Sequence, residues 1–196
     1  MFKKSDILNI FSVGLKLFLI TAIAAVILAV INSITKPVIE VNTYKKQNES
    51  MQKVLQTASS FEEADMSALA LVDFPCAITG VYNGYDADGN VTGFAVMVSS
   101  GGYGGDVSLA VGIDNELKVT GIDVISHSET PGLGAKCVKD EFKGQFVGKS
   151  ADIQVVKSGA KDNQIDAITS ATITSRAVTN GVNTAISAVK FIKEAE

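Results

Sequence analysis

The sequence predicts an α+β fold, an antiparallel sheet with flanking helices, preceded by one N-terminal transmembrane helix. Three observations carry this reading. An uncharged apolar run, Leu17 to Thr35, lies near the start. Two strand–turn–strand patterns follow between Ala77 and Ile125. One amphipathic helical stripe then closes the sequence beyond Thr172. Strands that precede helices, rather than alternate with them, favour α+β over a doubly wound sheet.

Composition narrows the class further. Of 196 residues, 46% are hydrophobic and 19% charged, with a mean hydropathy of +0.26. With 17 glycines, 3 prolines and no heptad running through the chain, disorder, collagen and coiled coil are excluded. The net charge of -4 argues against a nucleic-acid binder, which usually presents a basic face. Two cysteines and one histidine are too few for a zinc ribbon, an iron–sulfur site or a disulfide scaffold. The charge is divided unevenly. The first 60 residues hold seven lysines against three acidic residues, whereas the remainder holds ten basic against eighteen acidic. A basic membrane-proximal stem and an acidic head are expected.

Leu17–Thr35 would span about 28 Å as a helix, matching the hydrocarbon core of a bilayer. It is apolar on every face and too long for a signal-peptide core, so a retained single-pass anchor is expected. Lysines flank it on both sides (Lys3, Lys4, Lys16; Lys36, Lys45, Lys46, Lys53), so charge alone does not orient it. Residues 36–60 read as a linker helix. Met51, Val54, Leu55 and Ala58 stand at i, i+3, i+4, i+7, a face suited to packing on the head domain, residues 61–196.

In the head, Ile78–Tyr85 and Val91–Ser99 flank Asp86–Asn90, a hairpin loop that contains Gly89. Val107–Ile113 and Leu117–Ile125 flank a second tight connection at Asp114–Glu116. Four antiparallel strands are expected. A short helix follows around Asp140–Phe146 and a strand at Ile153–Lys157. The last helix starts near Ser170–Thr172 and aligns Val178, Val182, Ala185, Ile186, Val189 and Ile192 on one stripe. Cys76 and Cys137, 61 residues apart, could pair in an oxidising compartment, but with no dense cysteine framework free thiols are expected.

Three segments are candidates for chemistry. Gly101-Gly-Tyr-Gly-Gly105 lies between two strands; read as a ligand loop, Gly102 and Gly104 bring backbone close to a planar ligand and Tyr103 offers a ring and a hydroxyl, while read as scaffold it is a wide hairpin turn. His127-Ser-Glu-Thr-Pro-Gly-Leu-Gly134 places a turn at Pro131 and Gly132 beside Glu129, Thr130 and Leu133. His127 has no metal partners in the sequence and is not expected to act as an acid or base. Asp166-Ala-Ile-Thr-Ser-Ala-Thr-Ile-Thr-Ser175 opens the last helix. A helix start offers free N–H groups and the positive dipole end, so an anion site is possible there, as is an ordinary hydroxyl-rich cap. Helical geometry places Thr172 at the rim of the core and turns Thr174 away from it. No catalytic residue and no metal site is expected.

The third segment resembles the flavinylation motif of the FMN-binding domain family, D-x-x-[ST]-G-A-T-x-[ST], with Ser170 where the motif has glycine. The loop at Gly101–Gly105 and the segment His127–Gly134 resemble two further segments of that family, in the family's order, so the resemblance covers roughly Ala77–Asn183. It implies FMN joined to Thr172 by a phosphoester, with Thr169, Ser170 and Ala171 around it, and Gly102, Tyr103, Gly104, Glu129, Thr130, Gly132 and Leu133 as further cofactor-binding residues. It implies an electron-transfer subunit, without catalysis of its own, in an ion-translocating oxidoreductase of the Rnf type, a membrane ferredoxin:NAD⁺ oxidoreductase. The related Nqr-type sodium-pumping NADH:quinone reductase is the alternative within the family. A membrane-anchored module for small anions is the alternative outside it. The implied partners are the other Rnf subunits and an FMN transferase that takes FMN from FAD. The implied location is the cytoplasmic membrane, with residues 1–16 cytoplasmic and the flavin domain outside the cytoplasm.

Overall fold

The computed structural model describes residues 4–67, 69, 72–150 and 152–195. It divides into two compact units, Met1–Lys45 and Lys46–Glu196.

The first unit is helical. It belongs to helix α1, Lys4–Val54, which is long and apolar enough to cross a membrane. Phe18, Ile20, Ile23, Leu28, Ile31 and Ile34 are all exposed. An all-round apolar surface of this kind suits lipid and not water. The stem that the sequence divides into a span and a linker is thus one continuous helix, ending at Val54 rather than at Ser60.

In the second unit, five strands form an antiparallel meander: β1 (Ser60–Glu63), β2 (Ala77–Tyr85), β3 (Val91–Gly101), β4 (Asp106–Asp114) and β5 (Val119–Ser126). Four of these match the sequence expectation. The fifth, β1, is a short edge strand whose Ser-Phe-Glu-Glu lacks apolar alternation, and it pairs Phe61 with Gly84 and Glu63 with Tyr82. The helix expected at Asp140–Phe146 is α2 (Asp140–Lys143) followed by a single 3₁₀ turn, Gly144–Phe146. The strand expected at Ile153–Lys157 is β6 (Gln154–Val156), which pairs in parallel with β7 (Gln164–Asp166). The final helix α3 runs Thr172–Ala195.

Period-2 alternation assigns the two faces of the sheet. In cross-strand register, Val96 faces Val111 and Val98 faces Leu109. These four are buried in one core with Val178, Val182, Ala185, Ile186, Val189 and Ile192 of α3, the stripe read from the sequence. The alternate residues Ala95, Met97 and Ala110 pack on the opposite face with Met51 and Val54, near the end of α1. Helix and sheet approach closely there. A Cβ on Gly112 would fall on the Val54 carbonyl and on the Thr120 hydroxyl, and that hydroxyl itself donates to the Val54 carbonyl. Asp123 on β5 completes the joint. Its carboxylate accepts from the Ser50 hydroxyl at 2.9 Å, Lys53 at 3.2 Å and Lys143 of α2 at 3.0 Å. Cys76 and Cys137 are free and buried, and burial, with Glu129 nearby, pushes the Cys137 thiol up to about 11.

Candidate functional site

The meander leaves the β3–β4 loop, the segment after β5 and the start of α3 at one end of the sheet. They enclose a cavity of about 410 Å³, within the range of small-molecule sites. Tyr103, Glu129, Thr130, Leu133, Gly134, Ser170, Ala171, Thr172, Ile173 and Thr174 line it.

Each wall has a local cause. After β5, Thr130-Pro-Gly-Leu133 forms a turn closed by the Leu133 N–H on the Thr130 carbonyl at 3.2 Å. Pro131 fits its second position and Gly132, at φ +79, its third, as a type II turn requires. In the β3–β4 loop, the Gly102 N–H bonds the Gly105 carbonyl at 2.9 Å and holds the hairpin tight. At the third wall, the Ala171 N–H bonds the Ile168 carbonyl at 2.9 Å, and the chain turns into α3. Ser175 secures that entry from within the core, accepting from the Ile168 N–H at 2.9 Å and donating to the Ala171 carbonyl at 3.0 Å. Ser170 stands at φ +63, two residues before the first residue of the helix. That is the left-handed conformation glycine adopts freely, which explains the glycine of the resembled motif at this place.

Glu129 joins the walls. It is 5% exposed. One carboxylate oxygen accepts from the Tyr103 N–H at 2.8 Å and the Gly104 N–H at 3.1 Å. The other accepts from the Thr174 hydroxyl at 2.6 Å. Burial opposes its ionised form, but the hydrogen bonds from Thr174, Gly104 and Tyr103 outweigh it and keep the carboxyl below the usual glutamate range. The His127 Nδ1 accepts from the Glu129 N–H at 3.2 Å.

Of the residues expected at the site, Tyr103, Glu129, Thr130, Leu133, Ser170, Ala171 and Thr172 line the cavity together. Gly102, Gly104, Gly132 and Thr169 do not. Thr169 is exposed and borders a separate cavity with Lys136, Lys139 and Gln145. The Cβ positions of Gly102 and Gly104 point at Glu129 and at the Ser128 carbonyl, so their missing side chains make room inside the wall. Gly134, Ile173 and Thr174 complete the lining, beyond the residues that the sequence suggests.

Thr174 needs a correction. Helical geometry is expected to turn it away from the core, yet it is 1% exposed. The signal is in the sequence: Thr174, Val178 and Val182 are spaced i, i+4, i+8, so Thr174 extends the buried stripe by one turn. The five hydroxyls near the helix start therefore differ. Ser175 and Thr174 are buried and bonded, Thr169 faces elsewhere, and Ser170 and the half-buried Thr172 border the cavity.

Chemically the cavity combines a helix start with an apolar mouth. The first turn of α3 carries N–H groups that the helix cannot satisfy. Tyr103, Leu133 and Ile173 are exposed at the rim. No lysine or arginine among the described residues lines it. An amphiphilic ligand fits, with an anionic end at the helix and a flat apolar body at the mouth.

The model of the FMN-binding domain family matches residues 102–187, which contain every wall of this cavity. The second unit therefore contains an FMN-binding domain. The chain is 40% identical, over 90% of each sequence, to the G subunit of the Na⁺-translocating ferredoxin:NAD⁺ oxidoreductase complex of Acetobacterium woodii. It is 36% identical, over 96% of each, to the G subunit of the proton-translocating ferredoxin:NAD⁺ oxidoreductase complex of Clostridium ljungdahlii. It belongs to the family formed by the G subunits of ion-translocating oxidoreductase complexes. Among solved structures, NqrC of Shewanella oneidensis superposes with a TM-score of 0.60 at 18% identity, over 77% of this chain and 98% of that one. That likeness concerns the fold alone.

Proposed function

We propose that this protein is the FMN-carrying electron-transfer subunit of a membrane-bound, ion-translocating ferredoxin:NAD⁺ oxidoreductase, of the Rnf type, with its flavin attached to Thr172 by a phosphoester. Support for the complex comes from relatives, named as G subunits, that align over nearly the whole chain. The observation that carries the attachment is the position of Thr172: first residue of α3, half-buried, on the cavity wall. Thr174 and Ser175 have spent their hydroxyls on Glu129 and Ala171.

Electrostatics favours an ester over a freely bound phosphate. The cavity wall offers the N–H groups and dipole of α3 but no cationic side chain among the described residues, and Glu129 adds a negative charge. Esterification removes one ionisable oxygen from the phosphate and fixes what remains at the helix start. The attachment is a displacement: the Thr172 oxygen bonds the FMN phosphorus of FAD, and AMP leaves. A transferase as partner supplies that step. The walls then hold the ring: Leu133 and Ile173 as apolar contacts, Tyr103 as an aromatic neighbour, and the Thr130–Leu133 turn as backbone. Bound there, FMN supplies electron transfer, which requires no acid–base residue of this chain.

The test is co-expression with an FAD-dependent FMN transferase. The chain should give a band fluorescent under ultraviolet light on a denaturing gel, and peptide mass spectrometry should place FMN on Thr172. Thr172→Ala should abolish the band. A labelled peptide surviving in Thr172→Ala, or an adduct mapped to Ser170 or Thr174, overturns the assignment. The flavin domain is proposed to lie outside the cytoplasm, anchored by Leu17–Thr35. Protease added to spheroplasts should then digest the domain; protection until lysis reverses that orientation.

A further inference from the structure

Glu129 holds more of the cavity together than any other side chain, yet it is an anion placed where an anionic cofactor is to be received. It has no lysine or arginine partner among the described residues; its bonds are to two backbone N–H groups and one hydroxyl. Those donors come from two separate walls, the β3–β4 loop and the first turn of α3, while Glu129 itself stands on the third. The chain also makes room for it. A Cβ on Gly102 would fall on one carboxylate oxygen. A Cβ on Gly134 would fall on the other and lie 2.7 Å from the Thr174 hydroxyl oxygen. Two glycines therefore flank the carboxylate, one beside each oxygen. The N–H groups of Tyr103 and Gly104 are occupied by Glu129, so they are not the donors that receive a phosphate.

From this geometry we infer that Glu129 is a positioning residue: its carboxylate ties the β3–β4 loop to the first turn of α3 and so holds the cavity, with Thr172 on its wall, in the shape that receives the flavin. The inference rests on the proposed flavin site but concerns contacts within the chain's own wall. Gly102 and Gly134 serve the same purpose, since a side chain at either would displace the carboxylate. A second consequence concerns charge. A fixed anion in the cavity wall opposes the addition of electrons to a flavin held in that cavity, so removing its charge is expected to make the flavin easier to reduce.

The experiment uses the full chain in detergent, with three variants. Glu129→Gln keeps an oxygen for the two N–H groups and can turn its amide toward the Thr174 oxygen, so it preserves the tie and removes the charge. Thr174→Val cuts the tie to α3 and leaves the charge. Glu129→Ala removes both. Without the transferase, melting is followed against pH. The wild-type chain should lose stability as pH falls through the lowered pKa of Glu129, over and above the loss seen in Glu129→Gln. With the transferase, Glu129→Gln should keep its covalent flavin and show a more positive midpoint potential. Thr174→Val should lose most of the attached flavin while the sheet still melts cooperatively. If Glu129→Ala fails to fold, Thr174→Val and Glu129→Gln still decide the matter. Melting of Thr174→Val indistinguishable from wild type, or full attachment in Thr174→Val, overturns the tie; superimposable pH profiles for wild type and Glu129→Gln show that the tie does not use the charge. An unchanged potential in Glu129→Gln overturns the influence of charge. If no variant, wild type included, acquires flavin, the flavin reading fails and the melting profiles still judge the tie.

Discussion

Ser170 is a small departure with a measurable cost. At φ +63 it occupies a conformation that costs a non-glycine residue about 1–2 kcal/mol. Ser170→Gly should remove that cost, offset by the greater freedom glycine gains in the unfolded chain, for a net gain of no more than about 1 kcal/mol. Ser170→Val should lose about 1–2 kcal/mol, since a β-branched residue tolerates this region poorly. Thermal melting of the two variants beside the wild-type chain measures both; a Val variant as stable as the Gly variant would show that this backbone carries no strain. At this scale the sequence is only partly legible. The segment Asp166–Ser175 is visible as a helix start, and resemblance selects Thr172. The role of Glu129 is hidden, because its three partners lie 25, 26 and 45 residues away and two of them are backbone N–H groups with no residue signature. The burial of Thr174 is readable from the i, i+4 spacing, but only when the stripe is counted from Thr174 itself rather than from Val178.

Among the elements, the end of α1 and the sheet are joined most firmly at Asp123. Burial works against its charge, but Lys143, Ser50 and Lys53 together hold the carboxyl below its usual range. A lowered folded pKa contributes stability above the unfolded value, lost as pH falls through the folded one. Asp123→Asn should therefore cost about 1–3 kcal/mol near neutral pH, leaving Lys143 without its buried partner. The gap to the wild-type chain should close as pH drops below about 4, where the unfolded carboxylate protonates. Denaturant titrations at neutral and acid pH measure it; a pH-independent gap would mean the residue acts by shape alone. Lys53 adds little to this, its side chain being 64% exposed. The elements themselves are largely legible, since β2 to β5 are apolar runs bounded by turn residues and α3 follows a period of 3.6. What escapes is whatever tertiary contact defines: β1, which is a strand only because β2 offers an edge, and the continuity of α1 through the polar residues that follow its apolar run.

Taken as a whole, the second unit is a sheet covered on both faces, by α3 on one and by the end of α1 on the other. Strands β3 and β4 occupy its centre, each paired on both sides. The cavity walls are attached differently: Pro131, Gly132 and Leu133 are exposed, and the turn they form closes on one carbonyl, that of Thr130, which accepts from the Leu133 and Ala135 N–H groups. To expose the amides of Val96 to Val98 or Leu109 to Val111, two ladders and two packed faces must open together. To expose those around Leu133, one turn must loosen. Hydrogen–deuterium exchange should therefore run on two clocks. The central strands should exchange only through global unfolding, whereas the turn at 130–133 exchanges orders of magnitude sooner. Equal protection in both regions would contradict this. The domain can thus breathe at its mouth while its centre stays closed, and a bulky cofactor can be admitted to the finished fold without any part of the sheet coming undone.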